Sequence, residues 1–380
     1  MRERPSVHPV VRVDAQVPEW VRAIGRCVLY VAVRAVAIGL TVLIGVYAAI
    51  WVTNIGGHAD EQRKAAIEEA VAKAHRGGPF GWTYFNTEEE KGDAFRAAVD
   101  AAIAASDLDQ PFILRSFRYF RDAVSFSLGN AHHMYTSNGS EHVIDILKER
   151  LPWTILLFGV ANSIIFVGGL YLASGLSRRF GSLLDRTATL LVPIFAAPPW
   201  FFGLMLVTCF ALVLKLLPFG GIVSAPIPET HLGYIASVIT HMILPVSALV
   251  LATLPHAIYS NRSLFLIHSS DDFVELAQAK GLSEGRLHRR YILRPVLPVV
   301  ITNFALVCLV SWQAVILTEH VFNWPGIGHL IVQAIWSQDV PVVTGAITAM
   351  AYLIGFTALL LDIAYVIVDP RIALKRQAKI

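Results

Sequence analysis

Charge is scarce in this sequence. Asp, Glu, Lys and Arg make up only 16% of its 380 residues, while 55% are hydrophobic. A soluble domain carries about 25% charge. The deficit argues against a water-soluble enzyme and for an integral membrane protein. Cysteine is almost missing too. Cys27, Cys209 and Cys308 are the only three, all in or beside apolar runs and without C-x-x-C spacing. That leaves no basis for a disulfide framework or a zinc site and reads as small buried thiols. There is no G-x-x-x-x-G-K-[ST], so the chain has no P-loop, and any dependence on ATP must come from another polypeptide. No Ser/His/Asp or Cys/His set falls on one aqueous face, so no enzyme is expected. No basic patch interleaved with aromatics points to nucleic acid. The net charge of +3 is too small to indicate a partner.

What the chain does have is length of apolar sequence. A helix must stay apolar for about 20 residues to cross the hydrocarbon. Six stretches qualify, near 30–52, 152–175, 187–214, 236–258, 296–318 and 341–368. The first has arginines before it and no small-residue cleavage site after it, so it reads as a retained anchor. The expected fold is an all-α polytopic membrane protein with six transmembrane helices. The second, third and fifth stretches contain no Asp, Glu, Lys or Arg; His241 and His256 lie in the fourth and Asp362 in the sixth. Asp362, near one end of its span, reads as an interfacial or helix-packing residue. A proton or ion path needs more ligands than these. A secondary transporter or channel is therefore a weak alternative. Pro193, Pro198 and Pro199 interrupt the third stretch and Pro245 and Pro255 the fourth, which predicts bent helices, either beside a wet pathway or as ordinary packing helices.

Lys and Arg of the short loops set orientation. They gather before the first span, after the second (Arg178, Arg179, Arg186), after the fourth (Arg262 to Arg294) and at the C-terminus, while 319–340 has none. Both termini are therefore expected in the cytoplasm. The chain divides into a cytoplasmic segment 1–29, a first helix 30–52, an extracytoplasmic helical domain 53–150, a five-helix core 151–370 with a cytoplasmic loop 260–295, and a tail 371–380. In 53–150, Gly77, Gly78 and Pro79 separate two Ala-rich helical stretches. The neighbours His132 and His133 read as a solvated pair, since adjacent residues do not share a helix face. A membrane receptor sensing through this domain is a second alternative.

The loop 260–295 carries its own fold signals. Asp272 with Glu275 three residues on gives a capping-box pattern, Val274 and Ala277 share a face, and Gly281 suits a left-handed helix end. Ser283 can then cap a second helix that runs to Pro295. This hairpin is either a solvated connector or a docking element for a protein partner.

Here the sequence resembles a known family. "ELAQAKG" resembles the E-A-A-x-x-x-G loop of ABC importer permeases, and "FVELAQAKGLSEGRLHRRYILRPVLPVVIT" resembles their dipeptide/oligopeptide/nickel branch. Pro198 to Gly203, "LPFGG", "VFNWPGIGHLIVQAIWSQDVPVV" and "LLLDIAYVIVDPRIAL" resemble further landmarks of that branch, in order. Tyr291 and Pro295 depart from its usual His and Asn, and 53–150 is longer or more divergent than usual. The resemblance implies a type I ABC importer permease in a bacterial or archaeal plasma membrane, moving solute, peptides by default, by alternating access. It implies a second homologous permease, two ATPase subunits carrying ATP and magnesium, and an extracytoplasmic solute-binding protein, with no cofactor on this chain. The loop would be the coupling helix, with Glu275, Ala277, Gly281 and Leu282 touching the ATPase. Asn323, Trp324, Pro325, Gly326 and Gly328 would form an external lid or docking surface. Trp312, Gln313 and Thr318 would line the pathway.

Overall fold

Backbone in lipid must satisfy its hydrogen bonds internally, so apolar runs of this length can only be helices or a closed barrel. The computed structural model chooses helices. It describes residues 19–54, 57–77, 87–106, 108 and 110–368, and the regular structure within them is helical; an isolated bridge pairs Asn130 with His142. The first basic cluster (Arg2, Arg4, Arg12), the break at Gly78 and Pro79, and the tail 371–380 lie outside the described residues.

The elements are α1 (Glu19–Asn54), α2 (His58–Gly77), α3 (Glu88–Ala105), α4 (Phe112–Val124), α5 (Val143–Ser177), α6 (Leu183–Leu191), α7 (Pro199–Leu206), α8 (His231–Ser269), α9 (Asp272–Ala279), α10 (Glu284–Leu287), α11 (Arg294–Val321), α12 (Ile327–Trp336) and α13 (Val340–Val368). Among the described residues, five helical stretches are long and apolar enough to span a bilayer: Gly25–Asn54, Val143–Ser177, His231–Ser269, Glu284–Val321 and Val340–Val368. The third expected span is not one helix. It is split into α6, an irregular turn through Pro193 and Pro198, α7 with proline in its first turn, and a π-helical segment Val207–Val213. The prolines explain the split, because each lacks an N–H and crowds the preceding turn, and Pro199 is tolerated only at a helix start. The fourth span behaves otherwise: α8 runs unbroken for 39 residues through Pro245 and Pro255. Pro295 does not stop its helix either. A π-helical segment, His288–Leu293, widens the ladder just ahead of it and joins α10 to α11.

Small residues bring the spans together, as membrane packing requires. A methyl group on Gly169 of α5 would stand 3.3 Å from Cβ of Ala257 on α8. One on Gly355 of α13 would stand 2.6 Å from Cγ2 of Val42 on α1. The same helix pair is pinned by Arg34, which donates to both carboxylate oxygens of Asp362 at 2.7 and 3.1 Å. Asp362 is thus the packing residue its position indicated.

The insertion between α1 and α5 is helical, as expected. Arg115 of α4 is buried and donates twice to Asp60 of α2 at 2.8 Å each. This guanidinium holds the Asp60 carboxyl below the usual carboxylate range, and the carboxylate raises Arg115 in turn. The side chains of His132 and His133 are exposed, but their backbone N–H groups both donate to the buried Asp339 at 2.8 Å. That carboxylate ties the insertion to the turn before α13.

Replacing Gly355 by Leu is expected to push α1 off α13, a small-to-large overpacking worth about 1–3 kcal/mol. The melting temperature of the detergent-purified variant should fall by several degrees, while membrane insertion stays at the wild-type level.

Candidate functional site: a folded hairpin and a capped turn at opposite ends of the bundle

The hairpin between α8 and α11 is ordered by its backbone. Its first helix starts as the sequence indicated, with one correction: the N-cap is Asp271, not Asp272, and no side chain caps it. The Asp271 carbonyl accepts from Val274 N at 2.8 Å and Glu275 N at 3.3 Å, so Glu275 falls one place past the capping-box position. The helix ends in a Schellman motif. Gly281 has φ +76°, its N–H donates to Gln278 O at 2.9 Å, and Leu282 N donates to Ala277 O at 3.4 Å. Ser283 is the N-cap of α10, again without a side-chain bond.

Val274 and Ala277 share the inner face. Val274 packs in a cluster with Ala173, Phe265, Ile292 and Val296. Ala277 is buried at 4% exposure, so its side chain supports the helix from beneath and does not reach the exposed face. Glu275 and Gly281 are exposed, Leu282 is half-buried, and beside them Phe273 and Leu276 stand open to solvent. Those two apolar residues lie outside the inner face that Val274 and Ala277 share. Their signal was present as large hydrophobics next to a polar, helix-ending glycine.

Behind the hairpin lies a clasp that sequence reading missed. Arg262, two turns before the end of α8, pairs bidentately with the buried Asp185 in the first turn of α6. Gly181 N donates to the same carboxylate at 2.9 Å. The guanidinium keeps the Asp185 carboxyl below its ordinary range. Ser174 of α5 and the ring Nε2 of His288 lie 2.7 Å apart. The clasp thus fastens α8 to α6 behind the hairpin, while the hairpin itself rests through Val274 on α5, α8 and α11.

The opposite end is organised by Glu319. This carboxylate has no exposed surface, and Oε2 accepts from Gly328 N at 2.7 Å and His329 N at 3.2 Å. These are the second and third residues of α12, so a side chain from α11 does the work of an N-cap and meets the positive end of the helix. Thr154 of α5 takes the N–H before them, from Ile327, at 2.7 Å. The approach leaves no room: a methyl on Gly326 would overlap the Glu319 carboxylate, and one on Gly328 would stand 2.5 Å from Cα of Ile316. The expected tight turn is present, with Asn323 at φ +48°. Its residues point inward, however. Trp324 is fully buried and donates from Nε1 to the Trp153 carbonyl at 3.0 Å, Gly326 and Gly328 are buried, and only Asn323 is well exposed. The "LPFGG" loop reaches the same place, where Gly221 N donates to Phe322 O at 2.9 Å. Two motifs a hundred residues apart thus build one corner.

The three expected pathway residues do not share a surface. Trp312 is buried, stacks on Phe158 with ring centroids 3.8 Å apart, and donates to Thr357 at 3.2 Å. Thr318 is buried and returns its hydroxyl to Ala314 O. Gln313 alone is exposed, on a stripe of α11 with Thr302, Leu306, Val310, Leu317 and His320. Beside this stripe a groove of about 530 Å³ opens between Pro198, Pro199, His256, Val310, Ser311 and Ala314. Among the described residues no group of three His, Cys, Asp or Glu is placed to hold a metal.

An all-helical membrane bundle with a folded hairpin at one end and a capped corner at the other is a transporter-type architecture. Residues 165–374 match the family model of the binding-protein-dependent transport system inner membrane component, and the chain belongs to that family. It is similar to a putative peptide permease protein of Brucella suis biovar 1, 28% identical over 278 residues, 73% of this chain and 85% of that protein. It is similar to the oligopeptide transport system permease protein AppB of Bacillus subtilis, 32% identical over 231 residues, 60% of this chain and 72% of that protein. The dipeptide transport system permease protein DppB of Escherichia coli is 32% identical over 216 residues, 52% of this chain and 63% of that protein. An inward-facing MetNI methionine ABC transporter structure matches with a TM-score of 0.49 at 16% identity, over 60% of this chain and 99% of that one. The chain is a membrane-spanning permease subunit of an ABC importer, a transport subunit and not an enzyme. Family membership implies inner-membrane residence, ATP and magnesium on partner ATPases, and a binding-protein partner.

Replacing Glu319 by Ala leaves buried N–H groups of α12 without an acceptor, each worth about 1–3 kcal/mol. Thermal melting should drop well below wild type, with Glu319→Gln intermediate because its carbonyl oxygen still accepts. His329, buried and facing His320 and Arg150, has its pKa lowered from 6.5 to about 4, with burial the main cause. Between those values the unfolded chain takes up a proton that the folded chain refuses. Wild-type stability measured against His329→Gln should therefore fall as pH drops from 6.5 towards 4 and stay level above 6.5.

Proposed function

We propose that this chain imports peptides by alternating access, as one of two homologous permeases worked by two ATPase subunits that grip the α9–α10 hairpin. The observation that carries the reading is the hairpin itself: a short helix closed by a left-handed glycine, with Phe273 and Leu276 exposed beside Glu275 and Val274 anchored among residues of α5, α8 and α11. A solvated connector needs neither that anchorage nor the apolar rim. In this reading Glu275, Gly281 and Leu282 form the contact with Phe273 and Leu276, and Ala277 holds the helix up from below. The termini and the hairpin face the cytoplasm, and α2 and α3 face the binding protein. Gln313 and its stripe on α11 border the pathway, while Trp312 and Thr318 keep α11 in place. Asn323 and Pro325 edge the outer corner that Trp324, Gly326 and Gly328 fix. Peptide as substrate rests on the names of the relatives.

The motor acts by differential binding: moving a gate from 1:99 to 99:1 takes about 5.5 kcal/mol of preference for one facing. Gly281→Asp adds a Cβ at φ +76° and a charge to the open face at this turn. The variant is expected to insert normally, to lose co-purification with the ATPase subunits and to abolish uptake. Wild-type ATPase stoichiometry with normal uptake would refute the assignment.

A further inference from the structure

The short helix α4 in the insertion has a face that a water-soluble domain would not leave open. Ile113, Leu114 and Phe117 are 57, 60 and 60% exposed on one side of it, while Arg115, Ser116 and Ala123 are buried on the other. Its depth follows from α1. Arg34, paired with Asp362, marks the hairpin-side edge of that span, and no charged residue follows until beyond Asn54. These are about 20 residues, or roughly 30 Å of helix, one hydrocarbon thickness. The inner face of α4 lies against the last part of this stretch. Phe112 meets Trp51 edge-on with centroids 5.0 Å apart, Ser116 shares a 3.0 Å hydrogen bond with Tyr47, and Phe117 stacks on Tyr47 at 5.8 Å. Ala123 joins Val46 and Ile50 in one buried cluster that Val42 also touches. The two helices run antiparallel, so α4 descends beside the half of α1 nearer the insertion.

Ile44 and Val52, in that same half of α1, are 70 and 76% exposed. The open face of α4 continues this apolar surface. The arginines of α4 have partners within the chain: Arg115 bonds Asp60, Arg118 the Ser106 carbonyl and Arg121 Asp122. The large side chains that α4 leaves open at this depth, Ile113, Leu114 and Phe117, suit acyl chains.

We propose that α4 is embedded in the membrane leaflet on the insertion side, with Ile113, Leu114 and Phe117 among acyl chains. It serves as a lipid anchor that holds the base of the insertion at a fixed depth. The proposal does not depend on what the transporter carries. The test uses the full chain in vesicles of phosphatidylethanolamine and phosphatidylglycerol, with the three native cysteines replaced by serine. Single variants Ile113→Cys, Phe117→Cys and, as a control on α3, Asp93→Cys, whose side chain is 76% exposed, carry an environment-sensitive fluorophore. Doxyl-labelled lipid should quench the probes at 113 and 117 at least twofold more than the probe at 93, and iodide should quench only the control. Equal iodide access at all three sites would overturn the proposal. Shielding of 113 and 117 from both quenchers would also overturn it, because protein would then cover the face.

Discussion

A single buried carboxylate fixes one end of this molecule. Glu319 has no exposed surface and no lysine or arginine bonded to it; backbone N–H groups at the start of α12 receive it instead. A carboxylate out of water is costly unless its oxygens are hydrogen-bonded, so the start of α12 has to sit against the end of α11. The bare backbone of Gly326 and Gly328 is what permits the approach. Once that contact is made, the turn at Asn323 must close tightly, Trp324 is driven under Trp153, and the "LPFGG" loop finds the Phe322 carbonyl waiting. The corner is a consequence of one buried carboxyl group and the backbone donors it meets.

The hairpin end uses the same chemistry differently. Asp185 is buried with a formal partner, Arg262, and the pair joins α6 to α8 a few residues before the hairpin begins. The spans themselves are long helices packed through glycine, as in α5 on α8 and α13 on α1. The weakest regular structure falls elsewhere, in the proline turn between α6 and α7 and in the two π-helical segments. A bundle of this kind has stiff rods, charged fastenings between them, and joints confined to places where the hydrogen-bond ladder is already altered.

Much of this was legible beforehand. The helical class, the insertion, the glycine-ended hairpin, the tight turn at Asn323 and the packing role of Asp362 each follow from local pattern or from a residue's position in its span. The break of the third apolar stretch was only half legible. Proline predicted a bend in both the third and fourth, yet α8 absorbs Pro245 and Pro255 while the third stretch comes apart. Neighbours decide whether a proline's missing bond can be tolerated. Glu319 escaped notice because it lies one residue past the charge-free run, and Asp185 because it read as part of a basic loop.

The sequence by itself determined that this chain is helical, lives in a membrane, carries a folded polar hairpin and holds no P-loop. Those properties depend on composition and on residues within a turn or two of each other. Which face each functional residue presents was decided only by the tertiary structure. Trp312 and Ala277 turn inward, Gln313 and Leu276 turn out, and Trp324 sits beneath the surface it was expected to form. In lipid a hydrophobic residue gains little by being buried, so hydropathy carries no inside–outside signal there. Only the contacts between distant helices supply it.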